Sequence, residues 1–165
     1  MGRGFILLVC LIACACAPVA TPTPIPTPAT SADSELDAAI AQARASVDEF
    51  IERIASPHPA RTFVAVKLRF FPPDDSPQDI WLDDATYADG VFRGSMGDDI
   101  PSLKLFFGDP VTVRPEEILD WMIVEDGKLI GGYTIRLAYK YMTPEEQEEF
   151  IRITGYTVES LLEKD

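Results

Sequence analysis

The chain has few of the residues that build disulfides, thiolate sites and zinc centres. Its three cysteines all lie between Cys10 and Cys16, and residues 17–165 contain none. His58 is the single histidine, and it stands between two prolines. These absences exclude disulfides and cysteine chemistry in the folded part, and zinc sites of the usual composition. A Ser-His-Asp triad would need a histidine held in a proline-flanked turn, so no catalytic residue is predicted.

Basic residues are also scarce. The chain carries 14 lysines and arginines against 27 aspartates and glutamates, a formal net charge of −13. Nucleic-acid binding needs a basic patch that neutralises phosphates, so nucleic acid is not an expected partner. Three acidic pairs lie in turn-like segments, but none shows the alternating acids and central glycine of a calcium loop: Asp74-Asp75, Asp83-Asp84 and Asp98-Asp99. The sequence therefore predicts no metal site and no cofactor.

The densest apolar run in the leader extends from Phe5 to Ala13, too short for a membrane-spanning helix of about 20 residues. It suits the core of a signal peptide and ends in Leu11-Ile12-Ala13-Cys14. This ending resembles the lipobox of bacterial lipoproteins. The resemblance implies cleavage before Cys14, lipid attachment to its sulfur, and a membrane as partner through that anchor. Residues 1–13 are thus interpreted as a lipoprotein signal peptide, with an ordinary secretory leader as the alternative.

A proline- and threonine-rich segment follows the leader. Residues 14–32 hold the lipid-attachment cysteine and a charge-free stretch with the core Thr-Pro-Thr-Pro-Ile-Pro-Thr-Pro. Such a composition favours extended polyproline II, with a rise of about 3.1 Å per residue and a total reach on the order of 50 Å. We interpret it as a tether that places a single domain, residues 33–165, in the cell envelope on the extracytoplasmic face of the membrane.

The rest of the domain is organised around the stretch 118–136. Asp126-Gly127 tolerates the positive φ angles of a tight turn and is flanked by apolar residues, which predicts a β-hairpin. Glu125 and Lys128 are then expected to form an opposite-charge pair across the hairpin. Gly131-Gly132 ends the second strand, and the apolar spacing from Tyr133 onward predicts a helix.

Periodicity and capping residues predict the remaining elements. An amphipathic helix is expected from about Ser34 to Ala55, and a strand with one core-facing side over residues 62–71. Further strands are expected at 79–87, 91–95 and 111–113, a helical turn at Pro115, and helices at 143–154 and 156–164. The predicted fold class is α+β: a bent antiparallel sheet, open or barrel-like, flanked by an N-terminal helix and C-terminal helices.

Four segments resemble the YegJ-like family of uncharacterised bacterial proteins. They are Ile80-Trp81-Leu82, Gly108-Asp109-Pro110-Val111-Thr112-Val113, Ile118-Leu119-Asp120-Trp121-Met122, and the run from Asp126 to Arg136. The resemblance covers residues 63–142 and departs from the family pattern around residues 95–104. It implies a shared fold unit and adds no reaction. The candidate binding or structural residues that it marks are Trp81, Asp120, Trp121, Met122, Gly132, Tyr133 and Arg136.

Two classes of function remain open from the sequence. One is a binding or interaction module for an unknown protein or small molecule, and the other is a hydrolase that uses carboxylates such as Asp120 together with Arg136. Asp120 and Arg136 are also expected to form a shielded ion pair; the alternative is that Arg136 faces a groove and binds an anionic ligand. Trp121 is expected to be buried against the first helix or against the helix after Gly132.

Overall fold

The computed structural model describes residues 31–73 and 75–159, so Cys14, the leader and most of the tether lie outside the described part. The helices are α1 (Ser31–Ala45), α2 (Val47–Ala55), α3 (Tyr133–Lys140) and α4 (Pro144–Thr154), with 3-10 turns at Pro101–Leu103 and Pro115–Glu117. The strands are β1 (Arg61–Phe70), β2 (Gln78–Ala88), β3 (Val91–Met96), β4 (Pro110–Val113), β5 (Asp120–Glu125) and β6 (Lys128–Gly131). Within residues 31–73 and 75–159, none of the helices has the length and hydrophobicity of a transmembrane span. The α+β class is confirmed.

The six strands form one antiparallel sheet in the order β4-β3-β2-β1-β5-β6. The sheet is open, so the barrel-like alternative is wrong. The outer edge of β6 is occupied by the C-terminal segment: Leu129 N donates to Thr157 O at 2.9 Å, and Thr157 N donates to Gly127 O at 2.8 Å. These bonds also show that residues 156–159 are extended rather than helical, and residues 160–165 of the predicted last helix lie outside the described part.

The β5–β6 hairpin is confirmed. Asp126 and Gly127 have φ angles of 50° and 70°, and Glu125 lies opposite Lys128 in the register. Their predicted ion pair is wrong, however. Glu125 is buried and binds Arg61 at 2.8 Å, whereas the exposed Lys128 binds Glu159 at 2.8 Å. Glu125 thus pairs with a residue of β1, and Lys128 pairs with the C-terminal segment.

The predicted N-terminal helix is two helices, because the chain is interrupted at Ser46. The Ser46 hydroxyl donates back to the carbonyl oxygens of Gln42 at 3.0 Å and Ala43 at 3.1 Å. The indole Nε1 of Trp121 also donates to Ala43 O, at 3.1 Å. The Ala43 carbonyl is the acceptor that a continuous helix would use for Val47 N–H, so these contacts favour a break at this point.

The larger core lies between the sheet and the helices α1 and α2. Trp121 is its largest fully buried side chain, and it stacks on Phe50 of α2 with ring centroids 4.9 Å apart. A smaller cluster on the other face of the sheet contains Ala65, Met122, Val124 and Leu129. Helix α3 contributes to both, because Tyr133 packs against the larger cluster and Ile135 against the smaller. All six residues of β5 are consequently buried.

Candidate functional site

The buried carboxylate of Asp120 organises the start of α3. Asp120 is 0% exposed, and its Oδ1 accepts the backbone N–H of Trp121 at 2.8 Å and of Tyr133 at 3.2 Å. Its Oδ2 accepts the Thr134 N–H at 2.8 Å and the Thr134 hydroxyl at 2.7 Å. Two of these donors are unpaired N–H groups of the first helical turn, which require an acceptor. Asp120 therefore acts as a cap supplied from a strand.

The turn at Gly132 makes this capping possible. Gly132 precedes α3 in the left-handed conformation, with φ 61°, and its N–H donates to Trp121 O at 2.7 Å. This sharp turn aims the first N–H groups of the helix at the preceding strand β5. Burial raises the pKa of Asp120 above its usual value, and the hydrogen bonds from Thr134, Trp121 and Tyr133 oppose that rise.

Lys67 and Trp81 extend the Asp120 cluster along the sheet. Lys67 is the β1 partner of Asp120 in the register, and its Nζ lies 3.3 Å from the Thr134 hydroxyl. The same ammonium group lies over the ring of Trp81, 5.4 Å from its centroid, in a cation–π contact. The family-marked residues Trp81 and Asp120 are thus linked through Lys67 and Thr134, two residues that the sequence did not single out.

Trp121 and Tyr133 connect α3 to the N-terminal helices. Trp121 is 1% exposed, which confirms its predicted burial, and its ring meets Tyr133 edge-on at 6.0 Å. The Tyr133 hydroxyl is 2.9 Å from the Ser46 hydroxyl, at the break between α1 and α2. Trp121, Met122, Tyr133 and Gly132 are therefore packing and turn residues in this structure.

Arg136 does not bind Asp120, so the predicted ion pair is wrong. Its Nε donates to Gly131 O at 2.7 Å, its Nη2 donates to Leu129 O at 2.5 Å, and its Nη1 donates to Glu159 O. One helical turn separates Arg136 from the N-terminus of α3, and its side chain reaches the carbonyl groups at the end of β6 instead. The oxygens of Asp120 are already occupied by the first turn of α3.

Arg136 lines a groove of about 650 Å³ between α1, α3, α4 and the C-terminal segment. We call it the helical groove. Its apolar wall comes from Ala38, Ala39, Leu137, Tyr139 and Val158, and the main polar groups are those of Glu35, Gln42, Arg136, Lys140, Gln147 and Glu159. The alternative that Arg136 faces a groove is therefore the arrangement that the structure shows.

The charged residues around the helical groove are mostly paired. Lys140 Nζ binds Glu35 Oε2 at 3.0 Å, and the Tyr141 hydroxyl donates to the same carboxylate at 2.7 Å. Hydrogen bonds from Tyr141 and Lys140 lower the pKa of Glu35. The carboxylate of Glu159 is bound by Lys128. These pairs hold α1 to α3 and the C-terminal segment to β6.

The sequence did not mark most of the groove. Ala38, Ala39 and Gln42 recur at helical spacing and form one face of α1, but small residues on a helix most often indicate packing. Arg136 alone among the groove residues carried both the family resemblance and a side chain suited to anions. The sequence thus identified Arg136 as a candidate residue, but it did not predict the carbonyl oxygens that Arg136 binds.

Fold and site together define an α+β domain with an open antiparallel sheet and a groove between helices. Residues 33–158 match the family described as "Uncharacterized protein conserved in bacteria (DUF2314)". The chain belongs to this family, as the resemblance in the sequence implied. No metal-binding group of three or more His, Cys, Asp or Glu side chains occurs in the part of the chain that the structure describes.

Two curated relatives support the assignment. The chain is 36% identical over 113 residues to "Uncharacterized protein YegJ" of Escherichia coli K12, a match that covers 67% of this chain and 71% of the relative. It is 33% identical over 95 residues to "Putative ankyrin repeat protein" of Neisseria meningitidis serogroup B, covering 54% of this chain and 37% of that protein. No solved structure matches the chain.

Proposed function

We propose that this protein is a bacterial lipoprotein, anchored through Cys14 on the extracytoplasmic face of the cell envelope, whose domain is a binding module. The helical groove is its ligand site. The groove is the single observation that supports binding most directly: its volume of about 650 Å³ falls in the range of ligand pockets, and its apolar wall carries a few convergent polar groups.

The sequence before the domain supports the anchor. Leu11-Ile12-Ala13-Cys14 ends an apolar run, and residues 15–32 carry no charge and many prolines. A lipid chain on Cys14 contributes about 0.8 kcal/mol per buried methylene, and several chains would hold the protein on the membrane. A polyproline tether would then separate the domain from the lipid surface.

The groove favours binding over hydrolysis. A hydrolase would need a carboxylate free to transfer a proton or attack a substrate. Both oxygens of Asp120 are used to cap α3, and the groove carboxylates of Glu35 and Glu159 are ion-paired. Arg136 is held by three carbonyl oxygens rather than by Asp120. Asp120 and Arg136, the two residues considered for catalysis, thus make other contacts.

The anchor is tested by substitution of the cysteine. Cells that express the wild-type chain or Cys14→Ser are labelled with a clickable fatty acid, fractionated, and probed for the size and membrane retention of the protein. We expect Cys14→Ser to lose the label and to be released or left uncleaved. Cys16→Ser is the matched control and should behave like the wild type. Equal labelling and membrane retention of Cys14→Ser would contradict the proposal.

A further inference from the structure

The guanidinium group of Arg136 is the starting point, because its positive charge has no carboxylate partner in the part of the chain that the structure describes. Among the described residues, no carboxylate oxygen lies within 4.0 Å of it, whereas the other groove cation, Lys140, is paired with Glu35. Its three contacts are all with carbonyl oxygens, which carry only partial charge. Arg136 is half-buried, and this burial lowers its pKa, which means that the charged form is disfavoured by its surroundings.

The hydrogen-bond count leaves two donors of Arg136 available. A guanidinium group has five N–H donors, and Nε, Nη1 and Nη2 of Arg136 each use one in the three carbonyl contacts. Nη1 and Nη2 therefore each retain one N–H without a partner in the described part of the chain. N–H donors of a guanidinium group form strong, charge-assisted hydrogen bonds with carboxylate oxygens.

The rest of the groove restricts the ligand further. Lys140 and Lys128 neutralise the Glu35 and Glu159 carboxylates that line the same groove. Arg136 thus supplies one positive charge that no nearby carboxylate compensates among the described residues, and a ligand with a single negative charge is favoured. The wall formed by Ala38, Ala39, Leu137 and Val158 is apolar and fits an apolar body. Burial of such a body supplies the non-specific part of the affinity, and the guanidinium supplies the preference for an acid.

We propose that the helical groove binds a monocarboxylate with an apolar body, and that Arg136 receives the carboxylate. Two sources share this chemistry: a short fatty acid and the free carboxyl terminus of an apolar peptide. This inference rests on the proposed binding function, but it does not depend on the lipid anchor, so the two proposals fail through different experiments.

The test uses the full chain as cells process it, in zwitterionic nanodiscs where it carries a lipid and in buffer where it does not, with methyl-labelled alanine and leucine. The probes are hexanoate and an N-acetylated Ala-Leu-Ala peptide with a free carboxyl terminus, each paired with its uncharged amide. We expect the acids to shift the NMR signals of Ala38, Ala39 and Leu137, and to leave the core methyl of Ala85 unchanged. The affinity for each acid should exceed that for its amide by about tenfold or more. The stronger of the two acids identifies the source.

Two substitutions localise the binding. Arg136→Gln should remove the preference for acid over amide, but it also removes structural contacts and can impair folding. Ala38→Phe fills the groove without altering the guanidinium, and it should reduce the affinity for the acids about tenfold or more. Ala41→Phe is its matched control, because Ala41 lies exposed on the same helix and does not line the groove.

Several results would overturn the inference. Equal affinity for acid and amide would be consistent with a binding groove, but it would contradict the proposed preference for a carboxylate. Unchanged affinity in Ala38→Phe, or NMR shifts confined to residues outside the groove, would show that the acids do not bind in the helical groove. Binding that occurs only when Leu161 and Leu162 are replaced by serine would also contradict it, because the groove of the wild-type protein would then be closed to the acids. Absence of binding by all four probes to the wild type would contradict the proposed ligand class.

Discussion

Asp120 Oδ2 accepts two hydrogen bonds from Thr134, one from its backbone N–H at 2.8 Å and one from its hydroxyl at 2.7 Å. The two residues are 14 positions apart, and the contact joins the first residue of β5 to the first turn of α3. It fixes the direction in which α3 leaves the sheet. Since α3 carries Arg136 and forms one wall of the helical groove, the buried carboxylate positions the groove without lining it.

This contact predicts a large effect of Asp120→Asn. All four groups that bind the carboxylate are donors, so an amide would direct its own N–H₂ group at one pair of them. We expect a loss of about 2–4 kcal/mol in the free energy of unfolding, because buried donors lose their acceptor. Chemical denaturation measures it. Thr134→Val removes one side-chain donor and should cost less; equal stability of Asp120→Asn and the wild type would contradict the capping role.

Gly131 and Gly127 form a matched pair for a second prediction. Both have positive φ angles, 67° and 70°. A Cβ at position 131 would lie 2.5 Å from the Trp121 ring, whereas one at position 127 would have no atom within 4 Å. Gly127→Ala should cost about 1–2 kcal/mol for backbone strain. Gly131→Ala should cost about 3 kcal/mol or more, since overpacking adds to the same strain.

The measurement is again the free energy of unfolding, with the shift in tryptophan fluorescence of the folded proteins as a second readout. Similar losses for the two glycine variants would show that the close approach to Trp121 is relieved at little cost.

The two tryptophans provide a third comparison. Trp121 is fully buried and donates its indole N–H to Ala43 O, whereas Trp81 is half-buried beneath Lys67. Trp121→Ala should therefore reduce the free energy of unfolding by about 3–5 kcal/mol, as deletions of large buried aromatics do. Trp81→Ala should cost about 1–2 kcal/mol. A reversed order of the two losses would mean that the stacking on Phe50 contributes little to stability.

A fourth prediction concerns the structural role of Arg136, which holds the C-terminal segment to the hairpin. Lysine retains the positive charge but cannot donate to Leu129 O, Gly131 O and Glu159 O from one planar group. We expect Arg136→Lys to cost about 2–3 kcal/mol and to accelerate hydrogen exchange at Thr157 N–H, which pairs the C-terminal segment with the hairpin. Arg152→Lys, on the exposed face of α4, is the control and should change stability by less than about 0.5 kcal/mol. Unaltered exchange at Thr157 would contradict the docking role.

The pair Arg69–Asp79 predicts a dependence on pH. These residues lie opposite each other on β1 and β2, with Nε–Oδ1 at 2.7 Å and Nη2–Oδ2 at 2.8 Å. The hydrogen bond from Arg69 lowers the pKa of Asp79 in the folded state. The stabilisation of the folded protein by this ion pair is therefore fully present above the unfolded-state pKa of Asp79, about 3.9. It is lost as the pH falls through the lower folded-state pKa.

Because both side chains are partly exposed and screened by solvent, the pair should contribute no more than about 1 kcal/mol at neutral pH. We expect the wild type to exceed Asp79→Asn in stability by that amount at pH 7 and to lose the advantage at strongly acidic pH. Denaturation curves of both proteins across this range give the difference directly. A difference that is constant with pH would exclude the ion pair as its source.

The elements that could be predicted depend on interactions within a few residues. The turn at Asp126-Gly127 occurs as expected. The helix predicted over residues 143–154 is also present: it begins at the cap that Thr143 forms on Glu146 N–H and ends at Thr154 before Gly155. Alternation along β1 predicted one core-facing side, and Val64, Val66 and Leu68 do lie in or against the larger core. The opposite side is buried too, since Ala65 belongs to the smaller cluster. Backbone sterics and local hydrogen bonds determine such features largely independently of the tertiary fold.

The helical groove and its chemistry depended on contacts between distant residues. Trp121 lies 78 residues from the Ala43 carbonyl that it binds, and Tyr141 lies 106 residues from Glu35. The sequence by itself determined an α+β domain with a buried tryptophan and a marked aspartate and arginine. Only the tertiary structure decided that Asp120 caps a helix while Arg136 lines a groove, because the Gly132 turn directs the first residues of α3 toward β5 and places the next turn beside α1.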